Sequence, residues 1–139
     1  MPHTPHNIGV AEQIGKYSDA IETAPNLRWL FTSGTPGLLH DKQLPPNITD
    51  QAELAWKHIL DILHSANMTV DDIVKVTQYL TRASDIADYA KVRSRVLGDA
   101  RPAFMLLVVP QLIWPEVLLE IEVVAAKATS APLSDAKLP

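Results

Sequence analysis

Residues 101–110 read RPAFMLLVVP. After one cation and a proline come seven apolar residues in succession, with no polar residue to mark a solvent side. A half-exposed strand alternates apolar and polar residues, because successive side chains point to opposite faces. This segment does not alternate, so both of its faces need cover. That requirement narrows the possible architectures more than any other feature of the chain.

The cover must come from few elements. At 139 residues the chain has room for one domain with a real core, but not for two. The ends, residues 1–12 and 127–139, are rich in Pro, Ser, Thr and Ala and read as flexible segments around a single domain over 13–126. Two strands are expected around a turn at Ala24-Pro25-Asn26, the second from about Leu27 to Ser33, where Gly34-Thr35-Pro36-Gly37 ends it. After a loop over 35–48 comes a helix from about Asp50 to Ser65. Ala52, Ala55, Trp56, Ile59 and Leu63 recur there at helical spacing, and Glu53, Lys57 and Asp61 form a charge ladder. Asn67 is its expected stop.

DDIVKVTQYLT is then a strand, and Ser84 is placed to cap a second helix from about Asp85 to Leu97, closed by Gly98. Strands over about Ala103–Val109 and Val117–Ala125 complete the order β-β-α-β-α-β-β. This is an α+β chain with one mixed sheet and both helices on one face. The helices cover one face of 103–109, and nothing in the chain remains to cover the other. An uncovered apolar sheet face drives association, so an obligate homo-oligomer is expected.

Composition excludes several functions. Twelve basic and sixteen acidic residues give a net charge of −4, without a Lys/Arg run, which disfavours nucleic acid as a partner. No cysteine means no thiol nucleophile and no thiolate metal site. No apolar run is long enough to span a membrane, and MPHTPHNIGV has the features of no secretory signal, so a cytoplasmic location is the expectation. His3 and His6 lie in the N-terminal segment, and His58 and His64 point in different directions on a helix. Neither pair makes a metal site, and none is expected.

Two residues depart from their surroundings. Arg93 falls near the middle of the apolar face that Ile86, Tyr89, Ala90, Val92, Val96 and Leu97 define on the second helix. A guanidinium keeps its charge, so burial there calls for an anion. That anion is either a glutamate, within the chain or across a subunit contact, or a substrate carboxylate, which arginine holds with two parallel hydrogen bonds. On the last strand, Val117, Leu119, Ile121 and Val123 point one way, Glu120 and Glu122 the other. A solvated face explains both carboxylates, and for Glu122 is preferred. In a half-buried crevice, such a glutamate positions and deprotonates a water.

Taken together these stretches resemble the Rid family (YjgF/YER057c/UK114). IGKYSDAI is similar to the family's IGPYSQAI, and LFTSGTPG to its strand ending in SG. QAELAWKHILDILHSANMTVDDIVKVTQYLT and RPAFMLLVVP…LLEIEVVA follow in the family's order and spacing. The resemblance implies a homotrimer of chorismate-mutase-like subunits, sheets forming an inner barrel, with ligand clefts between subunits. It also implies a cofactor-free deaminase that hydrolyses reactive enamines or imines bearing a carboxylate to oxo acids and ammonia.

By position, Tyr17 matches the family's cleft tyrosine, Ser33 and Gly34 the segment lining the cleft, and Glu120 the glutamate that orients water. Phe104 stands where the family has its carboxylate-clamping arginine, and Arg93 where it often has an asparagine. Arg101 is a further cation nearby. The missing clamp turns the expectation away from small imino acids towards a larger acid, such as a 2-aminomuconate-type dicarboxylate. The rival expectation is a non-catalytic trimer that binds a metabolite or partner in the same cleft.

Overall fold

The computed structural model describes residues 2–129. Its strands are β1 (His3–His6), β2 (Ala20–Thr23), β3 (Leu27–Phe31), β4 (Ile73–Leu80), β5 (Ala103–Val108) and β6 (Leu119–Ala128). The helices are α1 (Ile48–Ser65) and α2 (Ile86–Leu97). The main sheet has the order β3-β6-β4-β5; β4 and β5 are parallel, joined through α2, and the other pairs are antiparallel. Two helices on a mixed sheet are the arrangement that the resemblance implies.

From the sequence, residues 1–12 are expected to be loose and Ala20–Thr23 to belong with the main sheet. Instead, β1 pairs with β2 in a separate antiparallel ribbon, from His3 opposite Thr23 to His6 opposite Ala20. Asp19 secures the base of this ribbon, accepting the Ile8 and Ala11 backbone N–H groups at 2.8 Å each. Those bonds hold its carboxyl below the usual carboxylate range. At the other end, β6 runs to Ala128, past the expected boundary at 126. Residues 130–139 of the expected tail lie outside the described residues.

Local chemistry sets the helix ends. The Asn47 side chain accepts the Asp50 N–H at 2.8 Å, capping α1, and Asn67 takes φ 59° just beyond its end. Gly98 does the same for α2 with φ 56°. Ser84 does not cap α2: it sits in a 3₁₀ turn over Ala83–Asp85, and the boundary is tied by Arg82 to Asp85 at 2.8 Å. The expected charge ladder on α1 is only half made. Lys57 meets Asp61 at 2.9 Å, while Glu53 reaches Arg95 of α2 at 2.6 Å.

Alternation assigns the sheet's two faces. Val76, Gln78 and Leu80 of β4, with Leu119, Ile121 and Val123 of β6, are buried under the helices against Ala52, Trp56, Ile59 and Tyr89. Register places Phe104 beside Val76 and Leu106 beside Gln78, so both point to this helix face and pack on the core. Met105 and Leu107 point to the opposite, open face, where Met105 is 50% exposed. Trp29 and Phe31 share that face, since Phe31 pairs with Val124 and Trp29 with Ala126; Phe31 is 70% exposed. One face of the apolar run is therefore covered by helices and the other lies bare on the single chain.

Candidate functional site

The first site group lies on the helix face. Ile86, Ala90 and Arg93 fall at i, i+4 and i+7 on α2 and so present one stripe towards the edge strand β5. With Tyr17, Phe104 and Leu106 they border a cleft of about 470 Å³. The Tyr17 and Phe104 rings stack, their centroids 4.8 Å apart and their planes 20° from parallel. The Arg93 guanidinium lies over both Phe104 and Tyr89, 4.4 and 5.4 Å from the ring centroids, close enough for cation–π attraction.

Within the chain, no glutamate answers Arg93. Its Nη1 donates to the Gln78 amide oxygen at 2.8 Å, and among the described residues it has no ion pair. Burial pulls the guanidinium below its ordinary value, opposed by the neighbouring Tyr89 hydroxyl. The residue stays charged, and its Nη2, on the Gly15 side, makes no hydrogen bond among the described residues. A half-used cationic fork at the edge of an apolar cleft is suited to a carboxylate.

Gln78 holds this group together and is not among the residues singled out from the sequence. It is fully buried; its Oε1 also accepts the Tyr89 hydroxyl at 2.6 Å, and its Nε2 donates to the Met105 carbonyl at 3.1 Å. A signal was present: an amide between Val76 and Leu80 on the inward face of a strand must find partners for both ends.

The second group lies on the open face. Glu120, opposite Tyr79 in register, is half-buried with its Oε1 against Gly34; a Cβ built on that glycine would stand 2.6 Å from the carboxylate oxygen. Glycine leaves room that any other residue would fill. Ser33 itself is exposed, but its carbonyl accepts both the Thr32 and Thr35 hydroxyls at 3.0 Å, and Thr35 exchanges backbone hydrogen bonds with Ile121. The backbone beside Glu120 is thereby fixed. Burial raises the Glu120 pKa above its usual value, and the charge of Glu122 adds to the shift. Glu122 accepts the Tyr79 hydroxyl at 3.1 Å.

Glu120 and Arg93 thus face opposite sides of one sheet, and a single chain does not bring them to one small molecule. Arg101 joins neither group. It is exposed, and its Nη1 donates to the Gly98 and Ala100 carbonyls at 2.8 and 2.9 Å, finishing the C-terminus of α2. Among the described residues no three His, Asp or Glu side chains are grouped to hold a metal ion, and no helix is long and apolar enough to cross a membrane.

The family model described as Endoribonuclease L-PSP matches residues 9–127. The chain belongs to that family, the Rid (YjgF/YER057c/UK114) proteins. A RutC family protein of Pyrococcus horikoshii is 32% identical to this Rid chain over 116 residues, covering 82% of this chain and 89% of its own. TdcF of Escherichia coli, named as a reactive intermediate deaminase, is 26% identical over 118 residues, 83% of this chain and 89% of its own. The crystal structure of E. coli TdcF with bound serine superposes with a TM-score of 0.68, covering 89% of this chain and 93% of that one. The Rid-family protein YyfB of Yersinia pestis, at 22% identity, has a TM-score of 0.79 and covers 91% of this chain and 100% of that one, a likeness of fold.

Proposed function

We propose that this Rid protein hydrolyses a reactive enamine or imine acid to the oxo acid and ammonia, in a cleft completed by a neighbouring copy in a homotrimer. The observation that carries this reading is the Glu120 carboxylate, half-buried against Gly34 and with its proton affinity raised. A carboxyl poised nearer neutrality gives up and takes back a proton more readily in both directions. The name of TdcF and the serine bound to it support a small-molecule ligand related to amino acids, without fixing its side chain.

The steps follow from that carboxyl. Glu120 in its acid form protonates the enamine carbon, leaving an iminium. The carboxylate so formed accepts a proton from water as the oxygen attacks the iminium carbon, giving a carbinolamine. Glu120 returns that proton to the nitrogen, the C–N bond breaks to release ammonia, and the hydroxyl proton passes to the Glu120 carboxylate as the carbonyl forms. The sum is enamine plus water to oxo acid plus ammonia, with Glu120 regenerated. Arg93 of the adjoining copy holds the substrate carboxylate, and Tyr17 and Phe104 wall the cleft. The backbone at Ser33-Gly34 lines the side of the cleft nearest Glu120.

Phe104 favours a second reading. The family's carboxylate-clamping arginine is absent at this position, and a trimer that only binds a metabolite has no need of it. An RNA substrate fits poorly with a net charge of −4. Ammonia release from enamines generated in situ by an amino-acid oxidase decides between the two. Glu120→Gln keeps the shape of the side chain but not the base, and is expected to lower turnover by ~10²–10⁴-fold with the fold retained. Unchanged turnover in this variant sinks the role of Glu120. No release above background from any enamine leaves the binding protein.

A further inference from the structure

We propose that the helix-face cleft selects a singly charged acid with a bulky aromatic or aliphatic body, its carboxylate on Arg93 and its body against the Tyr17–Phe104 stack. The inference rests on the hydrolase reading for the bond that is cleaved, and on the cleft alone for what is recognised. Three observations converge on it. The volume, about 470 Å³, falls among clefts that bury most of an organic ligand. A three-carbon acid leaves most of it empty.

The lining is the second observation. Apart from Arg93 and the amide of Gln78, the cleft presents Ile14, Ile86, Ala90, Leu106 and the stacked rings, and among the described residues no second cation lines it. A distal carboxylate on a dicarboxylic acid meets an apolar wall there, and desolvating it without a partner is costly. This speaks against the dicarboxylates anticipated from the sequence. The third observation is the geometry of Arg93. Nη1 is occupied by Gln78, and the rings of Phe104 and Tyr89 restrain the guanidinium plane, so the Nη2 edge is presented in one direction. A planar fork held this way orients one carboxylate, and the rest of the ligand extends over Phe104.

The test uses the intact assembly and the stable 2-oxo acids that the reaction would release. Calorimetric titration compares phenylpyruvate, pyruvate and 2-oxoglutarate on wild type and on Arg93→Met. Burial of one aromatic side chain predicts phenylpyruvate binding ~10–100-fold tighter than pyruvate. 2-Oxoglutarate is expected to bind no better than pyruvate, and Arg93→Met to remove most of the phenylpyruvate affinity. Tighter binding of pyruvate or 2-oxoglutarate than of phenylpyruvate overturns the proposal, as does full phenylpyruvate affinity in Arg93→Met. The hydrolase reading is scored separately by ammonia release. Tight phenylpyruvate binding without hydrolysis of any enamine keeps the ligand class and removes the enzyme. Hydrolysis confined to small enamines, with pyruvate bound best, does the reverse.

Discussion

The two faces of the main sheet solve opposite problems. Under the helices Gln78 satisfies Tyr89, Arg93 and the Met105 carbonyl at once, and among the described residues one edge of the Arg93 fork and the buried Trp56 indole N–H are left over. The open face holds Phe31, Trp29, Met105 and Leu107 in partial exposure, with Glu120 and Glu122 between them. A finished face with one unused cationic edge binds something small. An unfinished face with an apolar rim and central carboxylates is suited to something large, and in the proposed trimer another copy of the chain would bring both missing parts together.

The sharpest way to break this contrast is to charge the open face. Leu107→Asp puts a carboxylate where the proposed trimer buries apolar surface, a cost of several kcal/mol that corresponds to a dissociation constant at least ~10²-fold higher. Light scattering at micromolar concentration should show a trimer for wild type and a folded monomer for the variant. A monodisperse wild-type monomer removes the assembly, and a variant that stays trimeric removes Leu107 from its interface.

A smaller effect probes the finished face. Gln78→Leu strands the buried Tyr89 hydroxyl and takes away the in-chain partner of Arg93. Denaturant unfolding should show a loss of ~1–3 kcal/mol, the cost of leaving a buried polar group unsatisfied. A neutral result means the Gln78 network is dispensable.

The smallest effect is the pH dependence contributed by Glu120. Because its folded-state pKa is raised above 4.5, its contribution to stability is fully present below that value and is lost as pH rises through the raised pKa. Glu120→Gln has no such loss. Its melting temperature relative to wild type should therefore climb with pH from about 4.5 upwards. A flat difference across that range means the carboxyl is not shifted by its surroundings.

What could be read from the sequence followed from periodicity. The apolar residues of α1, the strand–helix–strand run from β4 to β5 and the double-sided character of 103–109 needed only spacing. Arg93 stood out because a charge interrupted an apolar stripe, and Glu120 because the facing residues alternate. The pairing of β1 with β2 was not legible, since the four residues of β1, HTPH, carry no alternation and depend on Asp19 gathering distant N–H groups. Ser84 looked like a cap by residue type, but the tie formed was Arg82 to Asp85, a choice of side-chain geometry. The separation of Glu120 from Arg93 was hidden for another reason. It depends on which face of β6 the helices cover: Leu119, Ile121 and Val123 lie under them and Glu120 does not, and alternation alone does not say on which side α2 packs.

The position of β6 has a consequence for how the protein is made. The last strand among the described residues is an inner strand of the sheet, seated between β3 and β4, and its register joins Ala128 to Leu27. A chain emerging from the ribosome can form α1, α2 and the β4–β5 pair, but β3 has no neighbour in the main sheet until β6 appears. Closing contacts so distant in sequence is slow, because the entropy of the long loop is lost before any pairing rewards it. Until then the apolar surfaces on both sides of the gap are exposed to other nascent chains. The main sheet is therefore completed only once β6 has emerged, and that moment, rather than emergence of the first half, sets when the sheet becomes safe from aggregation.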